Sequence, residues 1–127
     1  MTIKDVAEKY DLTQDTLRYY EKVGLIPKVE RTQSGNRIYS DQDLRHIEFV
    51  KCMRQAGLSI DVLSEYVALN QEGDSTLEKR RQILFDERVR LLKKMSEMQQ
   101  TLDRLNFKID NYDRVLKGEK RLTKDDI

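Results

Sequence analysis

Few residues in this 127-residue chain could carry out covalent or metal chemistry, and the first of them is a single cysteine, Cys52. A thiolate attacks electrophilic carbon and is readily oxidised, so Cys52 offers thiol chemistry. The chain has one histidine, His46, and one thiol with one imidazole are too few ligands for a zinc, copper or mercury site. No nucleophile beside a base, phosphate-binding loop or pair of acids in an apolar pocket is indicated. We therefore expect no enzyme activity, catalytic residue, cofactor or metal site.

The stretch TLRYYEKVGLIPK, residues 16–28, presents two adjacent tyrosines after an arginine. On a helix, Tyr20 faces the predicted core with Leu17, and Tyr19 faces away. The face around Tyr19 carries Asp15, Arg18, Tyr19 and Lys22. An exposed tyrosine gains nothing in water, but against DNA its hydroxyl can bind phosphate while its ring packs on a sugar. The pattern predicts a DNA-contacting face; the alternative is a small helical domain with a decorated surface.

Charge along the chain is uneven, although the formal net charge is only +1. Residues 13–40 contain three acidic residues and five basic ones, which are Arg18, Lys22, Lys28, Arg31 and Arg37. These basic residues fall on the second helix and on a predicted hairpin, where a winged helix-turn-helix contacts the DNA backbone.

The elements that position these residues begin with two short amphipathic helices, which have the spacing of a helix-turn-helix. Four hydroxyl residues are placed to cap the first four helices: Thr2, Thr13, Ser40 and Ser59. Gly24 and Pro27 end the second helix, and residues 25–39 read as a hairpin with a turn at 34–36. A third helix ends near residue 55, and a fourth follows.

The last element is a long helix without Pro or Gly until Gly118, and apolar residues recur on it with heptad spacing. Because the chain has no second long helix, we expect this seam to pair with a second copy. The predicted dimer interface consists of Leu84, Leu91, Met95, Met98, Leu102, Leu105, Ile109 and Tyr112.

We predict a DNA-binding domain at residues 1–70, a linker at 71–75, a coiled-coil helix at 76–117 and a polar tail at 118–127. Charged residues make up 37% of the chain, and no apolar run is long enough to span a bilayer. The N-terminus lacks a secretory signal, and one cysteine fits a reducing compartment. The predicted location is the cytoplasm, without a membrane partner.

The motifs TLRYYEKVGLIP, RTQSGNRIYSDQDLRHIEFV and MRQAGLSI closely resemble the MerR family of bacterial transcription regulators over roughly residues 1–117. The resemblance implies a mainly α fold: a winged helix-turn-helix domain of four helices plus a hairpin wing, followed by a long helix. It implies a homodimer through an antiparallel coiled coil of that helix. It also implies binding to double-stranded promoter DNA, which is bent and untwisted so that RNA polymerase can read both promoter elements.

Carried over residue by residue, the resemblance implies DNA contacts in two places. The recognition helix would use Thr13, Thr16, Arg18, Tyr19 and Lys22. The wing would use Arg31, Asn36, Arg37 and Tyr39, and the local charge adds Lys28. Tyr20 matches the motif as well, but we expect it to be structural.

The residues after the long helix lack the paired cysteines of metal-responsive relatives and are too few for the ligand domain of drug-sensing ones. The stretch EFVKCMRQAG, with DERVRLL, instead resembles the subgroup that responds to aldehydes and other thiol-reactive electrophiles. This resemblance implies that Cys52 is the sensor, and Arg45, Lys51 and Arg54 could favour its thiolate. The alternative is that Cys52 is a small buried apolar residue.

Two other functions fit the sequence. The protein could bend DNA without an effector, in which case modification of Cys52 would change nothing. It could also be a coiled-coil interaction module whose N-terminal domain binds protein, in which case loss of Arg18 would have no effect on DNA binding.

Overall fold

The computed structural model describes residues 1–126, which form five α-helices and one antiparallel hairpin. The helices are α1 (Ile3–Tyr10), α2 (Gln14–Lys22), α3 (Asp41–Gln55), α4 (Ile60–Glu72) and α5 (Leu77–Leu116). The hairpin strands are β1 (Glu30–Arg31) and β2 (Arg37–Ile38), with Glu30 opposite Ile38 and Arg31 opposite Arg37. The chain divides into two compact units; the first is Met1–Glu87 and the second begins at Arg88.

Hydroxyl groups begin the first four helices, as the sequence predicts. Each accepts a hydrogen bond from the backbone N–H three residues further on; the four residues are Thr2, Thr13, Ser40 and Ser59. Thr2 and Ser40 also form capping boxes, in which the side chains of Asp5 and Asp43 accept from the cap backbone. These bonds satisfy N–H groups that the first helical turn leaves unpaired.

The end of α2 directs the chain toward the hairpin. Gly24 adopts φ +78°, which side-chain-bearing residues rarely do. Its N–H donates to the Glu21 carbonyl at 3.3 Å, and the N–H of Leu25 donates to the Tyr20 carbonyl at 2.8 Å. This is a Schellman motif. The next two residues, Leu25 and Ile26, are buried, so the chain passes through the core before β1 begins.

The first unit contains one apolar core to which α1, α2, α3, α4 and the hairpin region all contribute. Its most buried side chains are Val6, Leu17, Leu25, Ile26, Ile47, Val50 and Leu63. Burial of this core fixes which sides of α2 and α3 remain outside, because the two helices are amphipathic.

Hydrogen bonds connect the end of α4, the short turn that follows it and the start of α5. The buried Thr76 hydroxyl lies 2.7 Å from the Leu69 carbonyl and 2.8 Å from the Gly73 carbonyl. Arg80 donates to the Asn70 side chain at 2.7 Å and to the Gly73 carbonyl at 3.1 Å. The predicted linker at 71–75 therefore falls on the end of α4 and on a 3-10 turn at Asp74–Thr76.

Helix α5 has 40 residues and is about 60 Å long at about 1.5 Å per residue. All eight side chains of the predicted dimer interface are exposed in the single chain, from 37% for Leu91 to 66% for Met98. Their continuous helical backbone is what a heptad seam requires. Their pairing with a second copy stays a prediction.

The predicted polar tail, residues 118–127, is described up to residue 126, and residue 127 lies outside the described residues. A 3-10 turn covers Lys124–Asp126. Within the described part of the chain, no helix combines the length and apolar character needed to cross a bilayer.

Candidate nucleic-acid interface

The two adjacent tyrosines of α2 point in opposite directions, as the helical pattern predicts. Tyr20 is 7% exposed and belongs to the core with Leu17, whereas Tyr19 is 44% exposed. Burial raises the pKa of the Tyr20 hydroxyl, and nearby Arg54 partly opposes this. The Tyr19 ring and hydroxyl are thus available on the outer face of α2.

Arg18 lies beside Tyr19 and is held along the outer face of the helix. One of its terminal nitrogens, Nη1, donates to Asp15 Oδ1 at 2.8 Å; the other, Nη2, donates to Gln14 Oε1 at 3.4 Å. The Asp15 side chain is 94% exposed, so this ion pair is a weak surface contact. It can orient Arg18 in the free protein and give way to a phosphate.

The two threonines at the start of α2 bond to each other. Thr13 Oγ1 accepts from the Thr16 N–H at 3.0 Å, and the two hydroxyl oxygens are 2.7 Å apart. Thr13 is exposed and Thr16 is half-buried. Both therefore serve the helix cap first, and any DNA contact would use the remaining hydrogen-bonding capacity of each hydroxyl.

The hairpin turn is ordered by its own polar groups. Arg31 donates to the Gly35 carbonyl at 3.0 Å, and the Thr32 hydroxyl accepts from the Asn36 N–H at 3.1 Å. Gly35 has φ +87°, which fits a turn that only glycine enters easily. Arg31 and Asn36 are both exposed beside this turn.

Between α2 and the hairpin lies a cavity of about 220 Å³ with a strongly basic lining. Four of its five lining residues are basic, and we call them the basic face: Arg18, Lys22, Lys28 and Arg37. The fifth is Glu21. Such clustering is the charge pattern that binds a phosphate backbone.

A second cavity, of about 250 Å³, adjoins the first because Arg18 and Arg37 line both. Its other lining residues include Lys4 and Thr2 at the start of α1 and Asn36 of the turn. Lys4 was not among the predicted contacts, since α1 is far from the turn in sequence. Lys4 and Asn36 line the same cavity because the hairpin folds back toward the N-terminus.

Tyr39, which the sequence predicts as a wing contact to DNA, lies inside the protein in the free chain, and its contact with DNA stays a prediction. Tyr39 is only 2% exposed and belongs to the core. Its backbone is fixed by Met1: the Tyr39 N–H donates to the Met1 carbonyl at 2.8 Å, and the Tyr39 carbonyl accepts from the terminal ammonium at 3.1 Å. Burial raises the pKa of its hydroxyl, with a partial opposing effect from Arg37.

Arg37 and Glu21 form an ion pair that the sequence did not single out. Arg37 Nε donates to Glu21 Oε1 at 2.8 Å, and the two side chains are 19% and 12% exposed respectively. Glu21 belongs to the YYE motif, but its partner lies in another element. Only tertiary structure brings them together.

Cys52 lies exposed on α3, so the alternative that it is a buried apolar residue is not supported. Two of the three cations predicted to favour its thiolate are hydrogen-bonded to backbone carbonyls: Lys51 donates to the Tyr10 carbonyl, and Arg54 donates to the Leu58 carbonyl at 2.7 Å. Among the described residues, no group of three or more potential ligands could hold a metal ion.

Comparison with known proteins agrees with this architecture. Residues 1–69 match the family described as MerR HTH family regulatory protein, and residues 44–106 match the family described as MerR, DNA binding. The chain is 58% identical over 92 residues to the HTH-type transcriptional regulator AdhR of Bacillus subtilis. That match covers 72% of this chain and 66% of the relative, which is slightly under two thirds of its length.

Two solved structures share the fold. A crystal structure of a MerR family transcriptional regulator from Listeria monocytogenes has a TM-score of 0.89 at 49% identity and covers 91% of this chain and 88% of its own. HiNmlR, a MerR family regulator lacking the sensor domain and bound to promoter DNA, has a TM-score of 0.81 at 30% identity. The match covers 89% of this chain and 90% of that chain.

These likenesses confirm the predicted fold of a winged helix-turn-helix domain followed by a long helix. The matching family consists of transcriptional regulators and not of enzymes. The chain therefore belongs to the MerR family of helix-turn-helix regulatory proteins, as a DNA-binding transcriptional regulator.

Proposed function

We propose that the chain acts as a homodimer, binds a two-fold symmetric promoter, and activates transcription by distorting the DNA when Cys52 reacts with an aldehyde or another electrophile. The observation that carries the DNA-binding half is the basic face beside the exposed Tyr19. The observation that carries the sensing half is the exposed thiol on α3.

DNA contact is supported by basic and aromatic side chains that α2 and the hairpin region place on one side of the first unit. Helix α2 offers Arg18, Tyr19 and Lys22, and Lys28 and the hairpin extend the same charge. Arginine and lysine at these places neutralise phosphates, while the tyrosine ring can pack on a sugar. The related regulator HiNmlR, bound to promoter DNA, has the same fold over 89% of this chain.

Dimerisation is supported by the exposed heptad seam of α5. A row of large apolar side chains in water is unfavourable, and pairing with the same row of a second copy buries it. Two copies would then place two α2 helices on one duplex, so a symmetric pair of half-sites is the expected target. Bending or untwisting the DNA between those half-sites can present both promoter elements to RNA polymerase.

Sensing through Cys52 requires a reaction that needs no cofactor. Addition of Cys52 Sγ to an aldehyde carbonyl forms one C–S bond, and the thiol proton ends on the carbonyl oxygen. The product is a hemithioacetal with no leaving group. This converts a small side chain into a larger polar one on α3, whose other side packs in the core through Ile47 and Val50.

Replacing Cys52 by serine should abolish induction and preserve promoter binding, because the hydroxyl is nearly isosteric but a far weaker nucleophile. The measurement is transcription from the cognate promoter before and after formaldehyde, methylglyoxal or diamide, with mass spectrometry of Cys52 in the wild-type chain. Ser96→Ala serves as a control, since it changes an exposed residue of α5 that makes none of the contacts described for Cys52 or for the basic face. Full induction of the Cys52→Ser protein would refute the sensing proposal.

The engagement of Lys51 and Arg54 with backbone carbonyls favours a second candidate, an effector-independent DNA-bending regulator. Both cations keep their charge, but neither of these hydrogen bonds is made to Cys52. The same experiment separates the two functions: the bender gives equal transcription with and without electrophile in both the wild type and the Cys52→Ser variant.

A further inference from the structure

Glu21 is the one acidic residue in the lining of the basic cavity, and it is largely withdrawn from solvent. Its side chain is 12% exposed, while the other lining residues are two arginines and two lysines. A carboxylate beside a phosphate-binding surface repels the phosphate. The Glu21 carboxylate must therefore contribute something to the site that offsets this repulsion.

The two oxygens of this carboxylate connect three separate segments. Oε1 accepts from Nε of Arg37 in β2 at 2.8 Å, and Oε2 accepts from the Val29 N–H at 3.3 Å. Glu21 itself lies in the last turn of α2. One side chain thus fixes the segment entering the hairpin, and the strand leaving it, against the helix that carries Arg18 and Tyr19.

The geometry of Arg37 leaves it able to bind a second anion. The bond to Glu21 uses Nε, which is one of five N–H groups of the guanidinium. The plane of the group is then fixed, and its outer N–H groups remain suited to a bidentate contact with a phosphate. An arginine held in this way loses little conformational entropy when it binds.

We propose that Glu21 is a positioning residue for DNA binding, which acts through Arg37 by orienting its guanidinium and the hairpin toward one backbone phosphate. The proposal rests on the DNA-binding function given above. It goes beyond that function because it assigns to an acidic residue a favourable role in binding a polyanion.

The Glu21→Gln variant tests this proposal by the sign of its effect. Loss of a negative charge beside DNA would by itself tighten binding, so a merely electrostatic role predicts higher affinity. The carboxamide has one neutral acceptor oxygen for two donors, Arg37 Nε and the Val29 N–H. A less firmly oriented Arg37 predicts lower affinity, by about tenfold or more for a dimer, as expected for a weakened charge-assisted hydrogen bond in each copy. The slope of log affinity against log salt should also fall by about two, one phosphate per copy.

Fluorescence anisotropy on the promoter duplex over a salt series measures both quantities, below the unfolding temperature of each variant. Glu65→Gln, which removes an exposed carboxylate on α4, gives the generic effect of the same charge change. Arg37→Ala should bind at least as weakly as Glu21→Gln, and the double variant should bind no more weakly than Arg37→Ala, because Glu21 acts through Arg37.

Arg37→Lys is a second variant with a different outcome for each model. It retains the positive charge but lacks the planar guanidinium. A positioning role therefore predicts weaker DNA binding, whereas a role of charge alone predicts unchanged binding. Unchanged or tighter binding by Glu21→Gln, or additive losses in the double variant, would overturn the proposal. If the wild-type chain itself shows no salt-dependent promoter binding, the DNA-binding function fails and the proposal fails with it.

Discussion

Replacing Arg18 by alanine is expected to weaken promoter binding by at least about a hundredfold and to leave the oligomeric state unchanged. Hydrogen bonds from a charged group contribute about 1.5–3 kcal/mol, and a dimer loses the contact twice, so about 3–6 kcal/mol is at stake. Fold stability should hardly change, because the Arg18–Asp15 pair is exposed. Gel-shift titration and sedimentation measure the two properties.

The matched control for this substitution is Arg104→Ala, which removes an exposed arginine from α5 without touching the basic face. The control should bind the promoter like the wild type. Equal promoter affinity for Arg18→Ala and the wild type would contradict the account and favour the alternative of a protein-interaction module.

Replacing Leu102 by lysine is expected to separate the dimer and, as a consequence, to abolish specific promoter binding. The substitution removes a large apolar side chain from the predicted seam, where truncation to alanine alone costs about 2–5 kcal/mol per site. It also places an unpaired ammonium group in the interface of both copies. The dimer dissociation constant should rise by about a thousandfold or more.

Size-exclusion chromatography with light scattering at micromolar concentration measures the mass of the particle. Gln100→Lys is the control, because Gln100 lies outside the heptad seam and receives the same charge on the same helix. A dimeric Leu102→Lys variant that still binds the promoter would show that α5 does not pair through this seam.

Local signals accounted for much of the fold. A hydroxyl residue before an amphipathic stretch caps the helix that follows, and this rule placed Thr13 and Ser40 correctly because capping bonds span three residues. Gly24 marked the end of α2 for a similar reason, since the left-handed conformation is a property of one residue. The exposure of Tyr19 followed from helical periodicity alone.

Contacts between distant segments were not predictable in the same way. Tyr39 resembled a wing residue by motif, but its bonds to Met1 cross 38 positions and draw it into the core. Glu21 and Arg37 are 16 positions apart and meet only because the hairpin folds back on α2. Sequence patterns predict single helices and turns, but they do not predict how one element packs against another, because core packing sets that arrangement.

If the outer face of α2 lies against promoter DNA, the side chain of Tyr19 is covered in the complex and reports the contact directly. Hydroxyl-radical footprinting of the wild-type protein, read by mass spectrometry, measures the oxidation rate of each side chain with and without the promoter duplex. We expect saturating duplex to protect Tyr19 strongly, while the exposed Phe107 of α5 is oxidised at an unchanged rate. Oxidation of Tyr19 at the same rate in the free and DNA-bound protein would contradict this contact between α2 and DNA.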